Sequence, residues 1–395
     1  MTYRIKKSDI WMFWFAVFMI RPYYVTLNAQ INMVWAYCTL VCAAITSFIV
    51  LNNKKLRYEV EIIFFFSTIY LLATIIQNPS SIMSAVSTIA QIVLPYNMGV
   101  LLISDAKRPS LEKNISLVCT LYIYVDAFCT FLHVSEKVLH QPMELTFLGY
   151  DNYAAFNILA MMVVKFAIDE RNHEGKLTNE DYLCYLVCCA GKLVTGSVAA
   201  CISLFAFAFI KFVSLHYKRL IRCLRPMKIV VFLVGLFVVV YYFKVYRLFS
   251  AILVALGKGS DLNSRTIIWS KVLHHIADIP IIGNGYYSVE DFRIFFEFPY
   301  GFNVTHPHNI ILCILVDTGL LGLIVYCRWL TKVSVNKKVL SFGWYRTLLI
   351  GLVCYLLQGF WDFYTLLSGF YILLAVTISY GKLLNRVSTE CSQKE

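Results

Sequence analysis

The stretch 303-NVTHPHNIILCILVDTGLLG-322 turns from polar to apolar within six residues, and the apolar run continues to residue 327. A run of about twenty apolar residues is what an α-helix needs to cross a hydrocarbon core about 30 Å thick. Two histidines and an asparagine stand at its lip, and an aspartate and two glycines interrupt it. Similar runs recur along the whole chain of 395 residues. The chain is 59% hydrophobic and 15% charged, with a mean hydropathy of +0.68. Soluble domains carry about 25% charged residues, so the composition implies an all-α integral membrane protein.

Twelve spans are expected, at roughly 10–27, 31–51, 59–77, 82–103, 114–132, 152–168, 182–194, 197–212, 229–243, 309–328, 346–361 and 366–382. The first contains Arg21 and Pro22 and lacks a small-residue cleavage site, so it reads as a retained helix rather than a signal peptide. Residues 182–212 fit either one long tilted helix or two short ones broken at "GKLVTG", for a total of eleven or twelve. Two helices leave most Lys and Arg in loops on one side, at 1–8, 52–57, 104–113, 169–181, 211–228, 327–346 and 382–395. The positive-inside rule then places both termini in the cytoplasm. The net charge of +12 is on this reading a topological signal, which argues against nucleic-acid binding. None of the 13 cysteines falls in an expected outer loop or in CxxC spacing, which argues against a disulfide framework or a zinc site and points to packing residues.

A single membrane domain, 1–395, is expected. It carries one long extracytoplasmic loop, 244–308, before the last three spans. Within that loop Asn263 or Ser264 can cap a helix that starts at Arg265, with Ile268, Val272 and Ile276 on one face and Pro280 and Gly283 ending it. "PIIGNGYY" reads as a tight turn. A short amphipathic helix across the outer mouth of the bundle is the expected result.

Several residues carry candidate chemistry. Arg265, with the N–H groups of its helix N-terminus, suits a phosphate or pyrophosphate, and Trp269 lies one turn on along the same face. Alternatively Arg265 is a plain surface cation. His306 and His308 fit three roles: a metal pair needing a third ligand from Glu290, Asp291 or Glu297; a general base; or a helix cap. On a straight helix Gly319 falls three turns below His308 on the same face and Gly322 one turn further, so a glycine stripe there admits a neighbouring helix or a lipid tail. Asp317 points to the opposite face, and a carboxylate to orient His308 is not evident. Asp126, Lys192 and Asp362 are further polar groups within or at the ends of spans, and such groups are functional by default. In "GYDN", Asp151 and Asn152 can bond sugar hydroxyls or cap the helix they precede.

Taken together, these motifs resemble those of the O-antigen ligases and Wzy-type polysaccharide polymerases. The signature of His, then Asn, Ser or Gln, nine residues, Gly, two residues and Gly is met by His308, Asn309, Gly319 and Gly322, with Asp317 as the usual acidic residue. "RTIIWSKVLHHIADIPIIGNG" supplies the family's Arg265, Trp269, Pro280, Gly283 and Gly285. One departure is "VTGSVAA", which has Ser197 but Val198 where many members carry Arg; Lys192 is the nearest substitute cation. The resemblance implies a metal-independent, cofactor-free glycosyltransferase in the bacterial cytoplasmic membrane. Its donor would be an undecaprenyl-pyrophosphate-linked oligosaccharide. His308 would be the base and Arg265, with Lys192, would stabilise the departing pyrophosphate; single displacement implies inversion. His306, Trp269 and Asn309 join Lys192, Asp151 and Asn152 as candidate substrate contacts. A polymerase joining repeat units is the leading expectation, with a chain-length regulator and a flippase as partners besides membrane lipid. A ligase acting on a lipid A core or a protein is the alternative, and a lipid-linked sugar transporter comes third, because internal repeats and midplane broken helices are not evident.

Overall fold

The computed structural model describes residues 7–104, 107–217, 221–245, 247, 264–299, 304, 306–362 and 367–392. Its helices, in chain order, are α1 (Lys7–Phe18), α2 (Ala29–Leu51), α3 (Lys54–Gln77), α4 (Ile82–Leu101), α5 (Arg108–Phe131), the single turn α6 (Val134–Lys137), α7 (Asp151–Asn172), α8 (Asn179–Val194), α9 (Val198–His216), α10 (Pro226–Tyr242), α11 (Arg265–His274), α12 (Val289–Phe295), α13 (Ile310–Leu330), α14 (Gly343–Gln358) and α15 (Ser368–Ser392). The one sheet among the described residues is a two-residue hairpin pairing Leu145–Thr146 with Gly149–Tyr150. Among the described residues, seven helices are long and apolar enough to cross a membrane: α2, α3, α4 with the 3-10 turn before it, α5, α7, α9 and α13.

Each expected span contains helix, with one difference of detail. The first does not run to residue 27: α1 stops at Phe18, and a 3-10 turn, Tyr23–Leu27, follows Pro22. Proline has no N–H to donate and pushes its predecessor out of the helical region, so Arg21–Pro22 breaks the run. The chain at 182–212 forms two helices, α8 and α9, parted at Thr195–Ser197 with Gly196 at φ 71°.

Burial sorts the helices into a centre and a rim. Helices α4, α7, α14 and α15 pack on one another and are buried nearly all round, while α2 and α9 bury little more than a quarter of their apolar windows. Phe48, Phe205 and Val231 stand exposed on α2, α9 and α10. Apolar side chains left outside a close-packed bundle are what a lipid-facing rim presents.

Among the described residues, the long connection between α10 and α13 carries two helices, not one. Ile268 and Val272 of α11 are buried as the spacing predicts, but α11 ends at His274 and Ile276 lies exposed beyond it. Ser264 precedes α11 in a left-handed conformation (φ 64°) without a side-chain cap, and Asn263 lies outside the described residues. The second helix, α12, is closed by a capping box between Ser288 and Asp291.

Candidate active site

Helix α13 is not straight. Gly319 sits inside it at φ 64°, ψ −166°, which breaks the ladder of backbone bonds. The groups this frees are taken up by the 280–285 turn: Asn284 N–H donates to Val316 O (2.8 Å), Gly285 N–H to Asp317 O (3.0 Å), and Leu321 N–H to Ile281 O (3.1 Å). A Cβ at Gly319 would come within 2.1 Å of Ile281 O, and one at Gly283 within 2.5 Å of the Gly319 backbone. Pro280 O accepts from Gly283 N–H (2.8 Å), and Tyr286 N–H reaches Thr74 of α3 (2.9 Å), so the turn is wedged between α13 and α3. The two glycine motifs thus form one structure. The expected stripe beneath His308 does not exist, because a straight helix was the premise; Gly319 meets backbone, and a Cβ at Gly322 would strike its own helix at Thr318. Asp317 is half-buried among Tyr70, Tyr287 and Tyr371 and is not placed on either histidine.

The carboxylate that orients His308 is Asp362, just past α14. Helix α14 ends at Gln358, leaving carbonyls without intrahelical donors. N–H groups of residues 359–362 take up those of Tyr355, Leu357 and Gln358, and three donors from elsewhere bond the next three carbonyls: Ile310 N–H to Gly359 O (2.8 Å), Asn309 Nδ2 to Phe360 O (3.2 Å), and Arg265 Nε to Trp361 O. The buried side chain of Asp362 completes the series. Its Oδ1 lies 2.8 Å from His308 Nδ1 and 3.0 Å from His306 Nε2, and its Oδ2 lies 3.8 Å from Arg265. Burial alone would raise this carboxyl, but hydrogen bonds from the two imidazoles outweigh it and hold it well below the usual range. Burial, together with His308 and Arg265, pushes His306 down to about 4 against the opposing pull of Asp362, so His306 is neutral.

An ionised carboxylate can only accept. His308 therefore carries a proton on Nδ1, so the neutral form of this imidazole has its lone pair on Nε2, and its side chain is 23% exposed. That is the arrangement of a general base with its orienting acid. Arg265, at the N-terminus of α11, adds a cation beside it. The same three side chains could also hold a metal ion, since the candidate ligand atoms of His306, His308 and Asp362 lie within 4.8 Å of one another. Arg265 so near the carboxylate counts against a second cation there. The expected third ligands are engaged otherwise: Glu290 with Arg293, Asp291 as the cap of α12, and Glu297 3.9 Å from His275.

Other expected contacts take different places. Trp269 is fully buried, packs against Phe237 and Phe360, and donates Nε1–H to Pro307 O (3.0 Å). It holds the His-Pro-His segment rather than facing a substrate. Asn309, also buried, caps α13 through Ile311 N–H (3.0 Å) and Leu312 N–H (3.3 Å). Lys192 is buried against another carboxylate, Asp126, at 3.6 Å. Asn152 accepts from Ser197 Oγ (3.2 Å), tying α7 to the α8–α9 break, and Asp151 opens α7, where its charge suits the helix dipole. Asp362 was legible only as a carboxylate at the end of a span; nothing local connects it to histidines 54 and 56 residues earlier.

Residues 183–327, from α8 to near the end of α13, match the model of the O-antigen ligase family. The match covers Arg265, both histidines and both glycine motifs. Neither a curated protein nor a solved structure matches the chain.

Proposed function

We propose that this protein is a polysaccharide polymerase that joins polyprenyl-pyrophosphate-linked oligosaccharide repeat units at the outer face of a bacterial cytoplasmic membrane. In this reading the chain crosses twelve times, with both termini in the cytoplasm and the 244–308 connection outside. His308 Nε2 takes the proton of an acceptor sugar hydroxyl, and the oxygen attacks the anomeric carbon of the donor. The bond from that carbon to the pyrophosphate oxygen breaks, and polyprenyl pyrophosphate leaves with its charge countered by Arg265. Asp362 holds the Nδ1 tautomer and stabilises the imidazolium that forms. Attack opposite the leaving group inverts the anomeric configuration.

The observation that carries the reading is the 2.8 Å bond from His308 Nδ1 to Asp362 with Arg265 on the same carboxylate, in a region that matches a glycan-transferring family. The family's description favours a second reading, in which the same donor is used to glycosylate a single lipid or protein acceptor. Purified protein given a defined undecaprenyl-pyrophosphate repeat unit distinguishes them. A ladder of lengthening products is expected. A single transfer that occurs only when another acceptor is added would establish the ligase instead, and no transfer with either would overturn both.

A further inference from the structure

The turn that seals the break in α13 also presents a side chain for which the fold has no use. Asn284 is 1% exposed, yet neither its Nδ2 nor its Oδ1 has a hydrogen-bond partner among the described residues; the hydroxyl of Tyr287 is likewise unpartnered. An unsatisfied buried polar group is destabilising, so such groups are retained for a reason. Both residues line a cavity of about 280 Å³ with Gln77 and Asn78 at the end of α3 and Asp291, Ile294 and Phe295 of α12.

We infer that this cavity is a subsite for one neutral sugar ring of the glycan, set apart from the reacting carbon. The inference rests on the transferase reading above and names what a remote part of its substrate meets. A carbohydrate hydroxyl both donates and accepts, and a primary amide offers both functions from one side chain. Asn284 brings an unpartnered amide, Gln77 a second amide, and Asp291 is a carboxylate acceptor. Asn78 already donates to Asp291 Oδ2 (2.8 Å), which fixes both side chains in place. The rings of Tyr287 and Phe295 supply apolar faces for the C–H side of a sugar. The lining includes one carboxylate and no cation, which disfavours a phosphate or an acidic sugar. The volume suits one ring rather than an oligosaccharide. Asn284 is bonded to Val316, eight residues beyond His308, and eight residues are roughly 12 Å of helical rise. A glycan with one hydroxyl at His308 would therefore bring a different residue of the chain to this cavity, so the subsite would read the repeat unit's sequence rather than its reacting bond.

The test uses full-length protein in nanodiscs and, as probe, the free oligosaccharide released by mild acid from the producing cell's lipid-linked donor. Asn284→Ala removes the amide without breaking a bond of the fold. Ile294→Trp, at a position 61% exposed on the cavity's edge, fills the space from outside. Each variant is expected to bind the oligosaccharide about tenfold more weakly, the loss of one good polar contact. KM for the lipid-linked substrate should rise in parallel, with kcat and the thermal midpoint near wild type. Wild-type affinity and KM in both variants, while transfer proceeds, would overturn the subsite alone. Oligosaccharide binding that the variants weaken, with no transfer by the wild type, would keep the subsite and overturn the transferase reading. Absence of both binding and transfer overturns both.

Discussion

His308 and Asp362 stand 2.8 Å apart, Nδ1 to Oδ1, although 54 residues of chain separate them. The pair exists because the N-terminus of α13 is bonded to the chain just past α14: Asn309 and Ile310 donate to the carbonyls of Phe360 and Gly359, and the next residues carry the carboxylate. Capping of one helix and termination of another thus place an imidazole against a buried carboxylate.

Replacement of either member should affect transfer differently from folding. His308→Ala is expected to lower kcat by on the order of 10²- to 10⁴-fold, the range for a lost general base. Asp362→Asn keeps the shape but can bond the opposite tautomer of the imidazole, and a loss of similar size is expected. Added imidazole should partly rescue His308→Ala and leave Asp362→Asn unchanged. Full activity in the alanine variant would remove His308 from the mechanism.

Chelation separates base from metal. Transfer by protein purified in excess EDTA should equal that of untreated protein. Activity abolished by chelator and restored by a divalent ion would reassign His306, His308 and Asp362 as a metal centre.

The break in α13 should tolerate no side chain. Gly319→Ala places a Cβ 2.1 Å from Ile281 O at a φ of 64°, so the 280–285 turn must move. A loss of at least about 1–3 kcal/mol is expected from backbone strain alone, visible as a lower thermal midpoint in detergent. Gly175→Ala is the control: its φ is also positive, at 86°, but no atom lies within 4 Å, and a smaller effect should result.

Trp269→Phe preserves an aromatic ring against Phe237 and Phe360 while deleting the Nε1–H that holds Pro307 O. We expect a loss of about 1–2 kcal/mol in stability and a fall in kcat with KM little changed, since the bond steadies the segment carrying both histidines. An altered KM with unchanged kcat would return Trp269 to the role of a substrate contact.

Lys192 and Asp126 provide a double-mutant test. Lys192→Met strands a buried carboxylate, and removal of one member of such a pair typically costs about 3–5 kcal/mol. Lys192→Met with Asp126→Asn keeps the acceptor for Leu148 N–H (2.8 Å) and should recover most of that stability together with transfer. Recovered stability without transfer would instead make Lys192 a partner of the pyrophosphate.

Patterns confined to one stretch of chain were legible in the sequence. Apolar runs of membrane-crossing length located the helices, and the proline after Arg21 and the glycine at 196 mark where two of them break. The His308–Asn309–Gly319–Gly322 spacing and the Arg265–Trp269–Pro280–Gly283–Gly285 run located the site. Tertiary structure alone decided what those residues touch. Helical periodicity assumes an unbroken helix, so it set Gly319 beneath His308; the bonds that reward a break there come from residues 281, 284 and 285, which periodicity does not see. Asp362 reaches both histidines because Ile310 N–H and the side chains of Asn309 and Arg265 bond the carbonyls of residues 359–361, just past the end of α14. Trp269 and Asn309, read as substrate contacts, are consumed by holding that junction. The sequence by itself determined which groups this protein has at the candidate site and that they stand at the lip of a membrane-crossing apolar run. Which carboxylate meets which imidazole depended on unpaired backbone groups finding one another across distant segments, and only the folded chain records that.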